Sequence, residues 1–209
     1  MPDVIEESTG AGAQVPAGAS AGAGAGGDAW DGARAPARII RIIDGAPSIV
    51  DDAWRVIDGL DEWDEVMQAD EAAGVLVPLD LALAQLGRLH AGRRTGIWLA
   101  PADEPARAAP LLASLSLVGV QFPKFTDGRG YSTAVLLRTR LGWRGELRAL
   151  GDVLQDQLFA LRRVGFDSFA LRPDRDLHAA LRSFSTFTDV YQGSVDQPLP
   201  AFRRGVAGP

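Results

Sequence analysis

The sequence predicts an α/β domain with a mostly parallel sheet, and three observations point there. Beyond Gly96, apolar runs of strand length alternate with amphipathic runs of helix length, a pattern that requires right-handed crossovers laying helices over parallel strands. Ahead of that region, RIIRIIDGAPSIV places two apolar runs around Asp44-Gly45, the turn chemistry of a β-hairpin. The first 37 residues are dominated by Gly, Ala, Ser and Pro, side chains that bury too little apolar area to offset chain entropy.

Taken in order, residues 1–37 read as a disordered tail, residues 38–192 as a single α/β domain and residues 193–209 as a flexible C-terminal tail. The hairpin begins at Arg38. The acidic stretch 51–74 carries Trp54, Ile57, Leu60 and Trp63 at spacings of three, which suits short amphipathic turns broken at Gly59. VLVP, residues 75–78, follows as a short strand, and LDLALAQLGRL as a helix ending near Gly92. Strands are then expected over Ile97–Ala100, Leu117–Phe122, Glu146–Leu150 and Ser168–Leu171, with helices over 105–115, 131–141, 153–163 and 175–184. An open sheet is favoured over a barrel-like arc, because eight βα units need roughly 250 residues.

Composition removes several function classes. The chain has no cysteine, so acting alone it forms no disulfide, iron–sulfur ligand set or thiol relay. His90 and His178 lie far apart in sequence and belong to no closely spaced ligand motif, so no metal site is expected. No cofactor is indicated: neither a G-x-G-x-x-G fingerprint nor a P-loop occurs. No apolar run approaches the roughly 20 residues of a membrane span, and the N-terminus MPDVIEES is acidic, unlike a secretory leader. A cytoplasmic protein without membrane contact is expected. Residues 1–120 carry 8 basic and 18 acidic side chains, and residues 121–209 carry 13 and 9. That asymmetry is too mild for a nucleic-acid surface and better suits a small anion or an acidic protein partner.

In a parallel α/β domain, ligands gather beyond the carboxyl ends of the strands. The loops expected there are PADEP (101–105), PKFTDGRGYS (123–132), LGD (150–152) and RPDRD (172–176). The second has the strongest signal. Asp127-Gly128-Arg129-Gly130 stands just before a helix, so backbone N–H groups and a guanidinium could meet an anion there. Asp-Gly is equally ordinary turn chemistry, and Ser132 could simply cap the helix. Lys124 is the single lysine beside 20 arginines, a compact ammonium where a planar guanidinium would not fit, or a chance survivor. On strand GELRALGD, Glu146 and Arg148 share a face and read as a structural ion pair. Asp152 with Gln155 matches a capping box. Gln157 falls in the helical stripe of Leu154, Leu158 and Leu161, where its amide should either bond within the fold or line a pocket. Lys124, Asp127, Gly128, Arg129, Ser132, Arg148, Asp152 and Gln157 are therefore the ligand-binding candidates, and no catalytic residue is assigned.

The run FPKFTDGRGYSTAVLLRTRLGWRGELRALGDVLQDQLFALRRVGFDSFAL, residues 122–171, continued by Tyr191-Gln192, resembles the signature of a bacterial family of unknown function. Genes of that family accompany those for sulfite reductase and phosphoadenosine phosphosulfate reductase, and its members are often labelled oxidoreductases of sulfite reduction. The resemblance implies a place in assimilatory sulfate and sulfite reduction, with either reductase as a partner, and contributes no catalytic residue. Sulfite reduction draws its electrons through siroheme and iron–sulfur chemistry, for which this chain has no ligands. The leading expectation is an accessory protein that recognises an anion or docks on a reductase. The alternatives are a small-molecule enzyme acting on an anionic substrate with Lys124, Asp127 and Arg129, and a non-catalytic scaffold.

Overall fold

The structure is a computed structural model in which residues 36–59, 62, 73–85, 94–187 and 189–204 are described. The tail read over 1–37, the Leu60 and Trp63 positions of the acidic stretch, the end of the helix near Gly92, and His90 lie wholly or almost wholly outside those residues.

Eight strands form one sheet: β1 Arg38–Ile43, β2 Ala46–Asp51, β3 Trp54–Val56, β4 Gly74–Pro78, β5 Thr95–Leu99, β6 Leu117–Phe122, β7 Glu146–Gly151 and β8 Ser168–Phe169, in spatial order β2-β1-β8-β7-β6-β5-β4-β3. All pairings from β3 through β8 are parallel, and β1 runs antiparallel to both β2 and β8. Five α-helices accompany them among the described residues: α1 Leu79–Ala84, α2 Arg129–Thr139, α3 Leu158–Arg163, α4 Leu177–Leu181 and α5 Ala201–Arg204. The expected α/β class, the mostly parallel sheet and the N-terminal hairpin are all present. At the hairpin, Asp44 and Gly45 both take positive φ, 51° and 79°, the two-residue type I′ turn that matches strand twist.

The sheet is not open. β2 and β3 stand at opposite ends of the spatial order, yet only Asp52 and Ala53 separate them in sequence. Three peptide steps reach about 11 Å at most, so the sheet must curl until its two ends meet. Length misled the expectation of an open sheet: the hairpin supplies two strands with no intervening helix, and β3 follows β2 directly.

Curling separates two cores. Ile40, Ile97, Val118, Val120, Leu147, Ala149 and Phe169 form one with Ala134 and Leu137 of α2 and Leu158 and Leu161 of α3. On the other face Ile39, Trp54, Val56, Leu76, Leu117, Leu150 and Ala170 cluster. That second cluster joins strands from both ends of the sheet, so its face is the concave one. Space there is tight: a Cβ on Gly119 would stand 2.6 Å from Leu150 Cδ1.

Several elements differ from expectation for identifiable reasons. Instead of a helix over 105–115 there are two short 3₁₀ turns, Pro105–Ala108 and Leu112–Ser114, because Pro110 cannot donate the N–H that a continuous α-helix needs there. Residues 54–56, expected in amphipathic turns, form β3, with Trp54 buried on the concave face. The helix expected over 153–163 begins as a 3₁₀ turn, Gln155–Gln157, and turns α-helical only at Leu158. Asp176 heads α4 by accepting from His178 N at 2.9 Å, so that helix starts later than 175. Residues 193–204 fall in the stretch expected to be a flexible tail, but here Ser194 Oγ donates to Arg163 O at 2.7 Å and Asp196 N to the same oxygen at 3.2 Å.

The composition of the N-terminal residues leads to a simple expectation. A chain beginning near Ala37 should keep the melting temperature of the full protein, since no packed core can be built from Gly and Ala repeats. A large drop on truncation would show that the removed residues pack against the sheet.

Candidate functional site

Strands β6, β7 and β8 are parallel neighbours, so the loops that follow them leave the sheet at one end. Asp152, just beyond β7, connects them. Its Oδ2 accepts from Phe125 N at 2.8 Å in the loop after β6, and its Oδ1 accepts from Arg172 Nη1 at 3.3 Å in the segment after β8. Asp152 N also donates to Phe122 O at 2.7 Å, extending the β6–β7 pairing by one bond. Gln157 completes the arrangement: its Nε2 donates to Phe125 O at 2.9 Å while its Oε1 accepts from Leu154 N at 3.0 Å. Both backbone polar groups of Phe125 are thereby held by side chains, and the residue is left 55% exposed.

This geometry corrects two expectations. Asp152 does not form a capping box with Gln155; the turn is closed by Gln157 reaching back to Leu154 N. Gln157 is half-buried outside the apolar stripe, because the 3₁₀ turn shifts its register from that of α3. Its amide bonds within the fold, one of the two roles expected for it.

Lys124, Asp127, Gly128 and Arg129 line a single shallow depression with Pro123 and Thr126. Asp127 and Arg129 form a forked pair: Arg129 Nη2 donates to Oδ2 at 2.6 Å, and Nε and the backbone N donate to Oδ1 at 3.0 and 3.1 Å. Hydrogen bonding from Arg129 holds the Asp127 carboxyl below its ordinary range, and the same bonds raise the Arg129 pKa. The carboxylate of Asp127 thus occupies the start of α2, and Ser132, expected as a possible cap, is exposed within the helix. Arg129 is 62% exposed at its side chain, with Nη1 turned to no partner among the described residues.

The two glycines of this loop differ. Gly128 has an ordinary φ of −80°, and a Cβ there would meet nothing within 4 Å, so the fold itself does not require glycine. Gly130 is required: its Cβ would lie 2.5 Å from Cζ of Phe122. Lys124 is exposed, which is not the buried setting that a Schiff-base amine needs.

Arg148 stands apart from these residues. It lies 2% exposed on the concave face, where Nη1 binds both oxygens of Asp52 at 2.8 and 2.9 Å and Nη2 binds Glu146 Oε1 at 2.8 Å. Ser168 Oγ donates to the same Glu146 oxygen at 2.7 Å, and Arg41 approaches the other at 3.6 Å. The expected Glu146–Arg148 pair is present, but the stronger partner is Asp52, which sequence offers only as one acid in an acidic stretch. Burial pushes the Asp52 carboxyl up, against the opposing pull of Arg148. A cleft of about 230 Å³ opens onto this cluster, bordered by Arg41, Arg94 and Trp54. Asp52, Phe125 and Arg172 are the residues that sequence reasoning missed. Only the partnering of strands reveals them.

No cluster of three or more metal-type ligands occurs among the described residues, and no helix among them is long and apolar enough to cross a membrane. The fold and the loops define a curled α/β protein with a polar, Asp152-braced rim at the carboxyl ends of its parallel strands. The chain belongs to a family described as bacterial protein of unknown function (DUF934), whose model matches residues 96–202. The matched region spans β5 to α5 and includes every rim residue. No curated protein matches the chain.

Proposed function

We propose that the protein is an accessory component of bacterial assimilatory sulfite reduction, which uses the rim around Lys124 and Arg129 to engage an anion or an acidic surface on a reductase of that system. The pathway comes from the resemblance of residues 122–171 to a family encoded beside sulfite reductase and phosphoadenosine phosphosulfate reductase. The observation that carries the mode of action is the clamping of Phe125 by Asp152 and Gln157. It fixes a loop that presents an exposed aromatic ring beside a lysine and an arginine, the chemistry of a docking surface for an acidic partner. Fixing the loop beforehand lowers the ordering cost of binding. The lack of cysteine argues against electron transfer through an iron–sulfur centre held by this chain.

A strain lacking the gene, grown separately on sulfate, sulfite, sulfide and cysteine, tests the pathway: the first nutrient that restores growth locates the step. A pull-down that recovers reductase subunits supports docking, whereas saturable turnover of a small anion supports an enzyme. Lys124→Ala and Arg129→Ala should each fold normally and weaken binding by about 1.5–3 kcal/mol, or roughly ten- to a hundredfold. Arg144→Ala, on an exposed residue away from the rim, should leave binding intact. If both loop variants bind and support growth like the parent, the rim is not the working surface.

A further inference from the structure

The C-terminal segment folds back over the end of α3 and encloses a second cationic cleft, away from the rim. Two basic residues, Arg162 and Arg163, close the last turn of α3. Against them lie residues 189–204, held by Arg163 Nη2 to Gln192 O and by Arg204 Nη2 to Asp189 Oδ1 and Val190 O. The cleft between has a volume of about 220 Å³; Phe159, Phe184 and Phe187 line it together with Arg162, Arg163 and Arg204. The cleft shares no lining residue with the Lys124 depression, so the two are distinct.

Two guanidinium nitrogens here, Arg163 Nη1 and Arg204 Nε, are buried and make no hydrogen bond to any described residue. Asp196 stands 3.5 Å from Arg163 Nη1, an ion-pair distance without a hydrogen bond. More than nine in ten buried polar groups are paired, and a buried charged donor left without an acceptor is costly. One such nitrogen would be an oddity. Both nitrogens belong to side chains that line the cleft, 13% and 27% exposed and anchored through Nη2, so a small turn of each guanidinium group offers its free nitrogen to an acceptor in the cleft. Three guanidinium groups face two carboxylates, Asp189 and Asp196, so the missing acceptor is favoured when it carries negative charge. The aromatic walls lower the local dielectric and strengthen such a contact.

We propose that this cleft binds an oxyanion with two accessible oxygens, a phosphate or sulfate group, which accepts from Arg163 Nη1 and Arg204 Nε. Calorimetric titration of the full chain with inorganic phosphate and with sodium sulfate, in low-chloride buffer with acetate as a monovalent control, tests it. Saturable binding of phosphate or sulfate is expected, weakened at least about tenfold by Arg204→Gln and still present in a Lys124→Ala/Arg129→Ala double variant, which removes only the rim contacts. Phenyl phosphate then separates the sources: tighter binding than inorganic phosphate shows that the aromatic walls receive the rest of an ester, and equal binding shows a free ion. Arg163→Gln loses its bond to Gln192 and Arg204→Gln those to Asp189 and Val190, so both are measured with their melting temperatures, and loss of binding in two variants that anchor different backbone groups assigns the effect to the anion site. Non-saturating heats with the parent chain, or saturable binding that Arg204→Gln leaves intact, overturn the proposal. Loss of binding in the Lys124→Ala/Arg129→Ala variant alone would place the anion at the rim instead.

Discussion

Arg148→Ala should destabilise the fold by about 3–5 kcal/mol near neutral pH, the usual cost of removing one member of a buried ion pair. Arg148 fills the concave interior and donates to Asp52, Glu146 and Ser168 at once. Removing it strands two acids, one of them 2% exposed, and opens a cavity at the place where β2 runs into β3. The pH dependence has a definite sign. Burial already raises the Asp52 carboxyl above its ordinary value, and Arg148 is the main group drawing it down; without Arg148 the folded-state pKa rises further. A carboxyl whose folded pKa exceeds its unfolded one contributes stability below the unfolded pKa, and that contribution is lost as pH rises through the folded pKa. The deficit of Arg148→Ala relative to the parent should therefore be larger at pH 8 than at pH 5. Urea denaturation of both proteins at the two pH values measures it. The combination Asp52→Leu with Arg148→Met should recover much of the loss, because a packed apolar pair can replace a buried ionic one. A pH-independent deficit under about 1 kcal/mol would mean that water reaches the pair and the interior is not closed.

How far the sequence discloses this protein depends on the range of the interactions involved. The βα alternation after Gly96 and the Asp44-Gly45 turn are local signals, and the elements they indicate, apart from a helix over 105–115, are present within a few residues of their expected bounds. The larger departures are non-local. Nothing near Asp52 announces that its carboxylate meets Arg148, 96 residues away; the contact exists only because β2 and β3 bring the two ends of the sheet together. Pro110 is a local signal, and it decides between a helix and two 3₁₀ turns. At the rim, Lys124, Asp127, Gly128 and Arg129 line one depression, as near neighbours in a single loop. Spacing assigns Asp152 to a capping box and Gln157 to the apolar stripe of its helix, whereas both reach across to Phe125, 27 and 32 residues earlier. Side chains at strand ends have two kinds of partner, the next helix and the neighbouring loop. Sequence shows only the first.

Asp152→Ala should produce the largest functional loss of any single rim substitution, although Asp152 faces the interior of the rim and Lys124 and Arg129 face out. Its carboxylate is the acceptor shared by the loops after β6 and β8. Without it the Phe125 N–H and one end of Arg172 must find water, and the loop carrying Lys124 loses its fixed relation to β7. The stability cost should be about 1–3 kcal/mol, the range for a charge-assisted bond whose donors are left unmet. Arg172 retains Asp174, at 3.0 Å through both Nε and Nη2, so the segment after β8 should stay in place. Displacement should be confined to residues 123–128. Asp152→Asn keeps one acceptor oxygen and should fall between Ala and the parent, while Gln157→Leu frees only the Phe125 carbonyl and the Leu154 N–H and should cost about 1 kcal/mol. Amide exchange at Phe125 reads the effect directly: its protection should fall steeply in Asp152→Ala and hold at β6. Growth on sulfate, complemented by each variant, should fail for Asp152→Ala and persist for Arg144→Ala. Exchange at Phe125 that is unaltered in Asp152→Ala, with wild-type growth, would mean that the loop holds its shape through its own turn, in which Asp127 N donates to Lys124 O at 2.9 Å, and that Asp152 braces nothing.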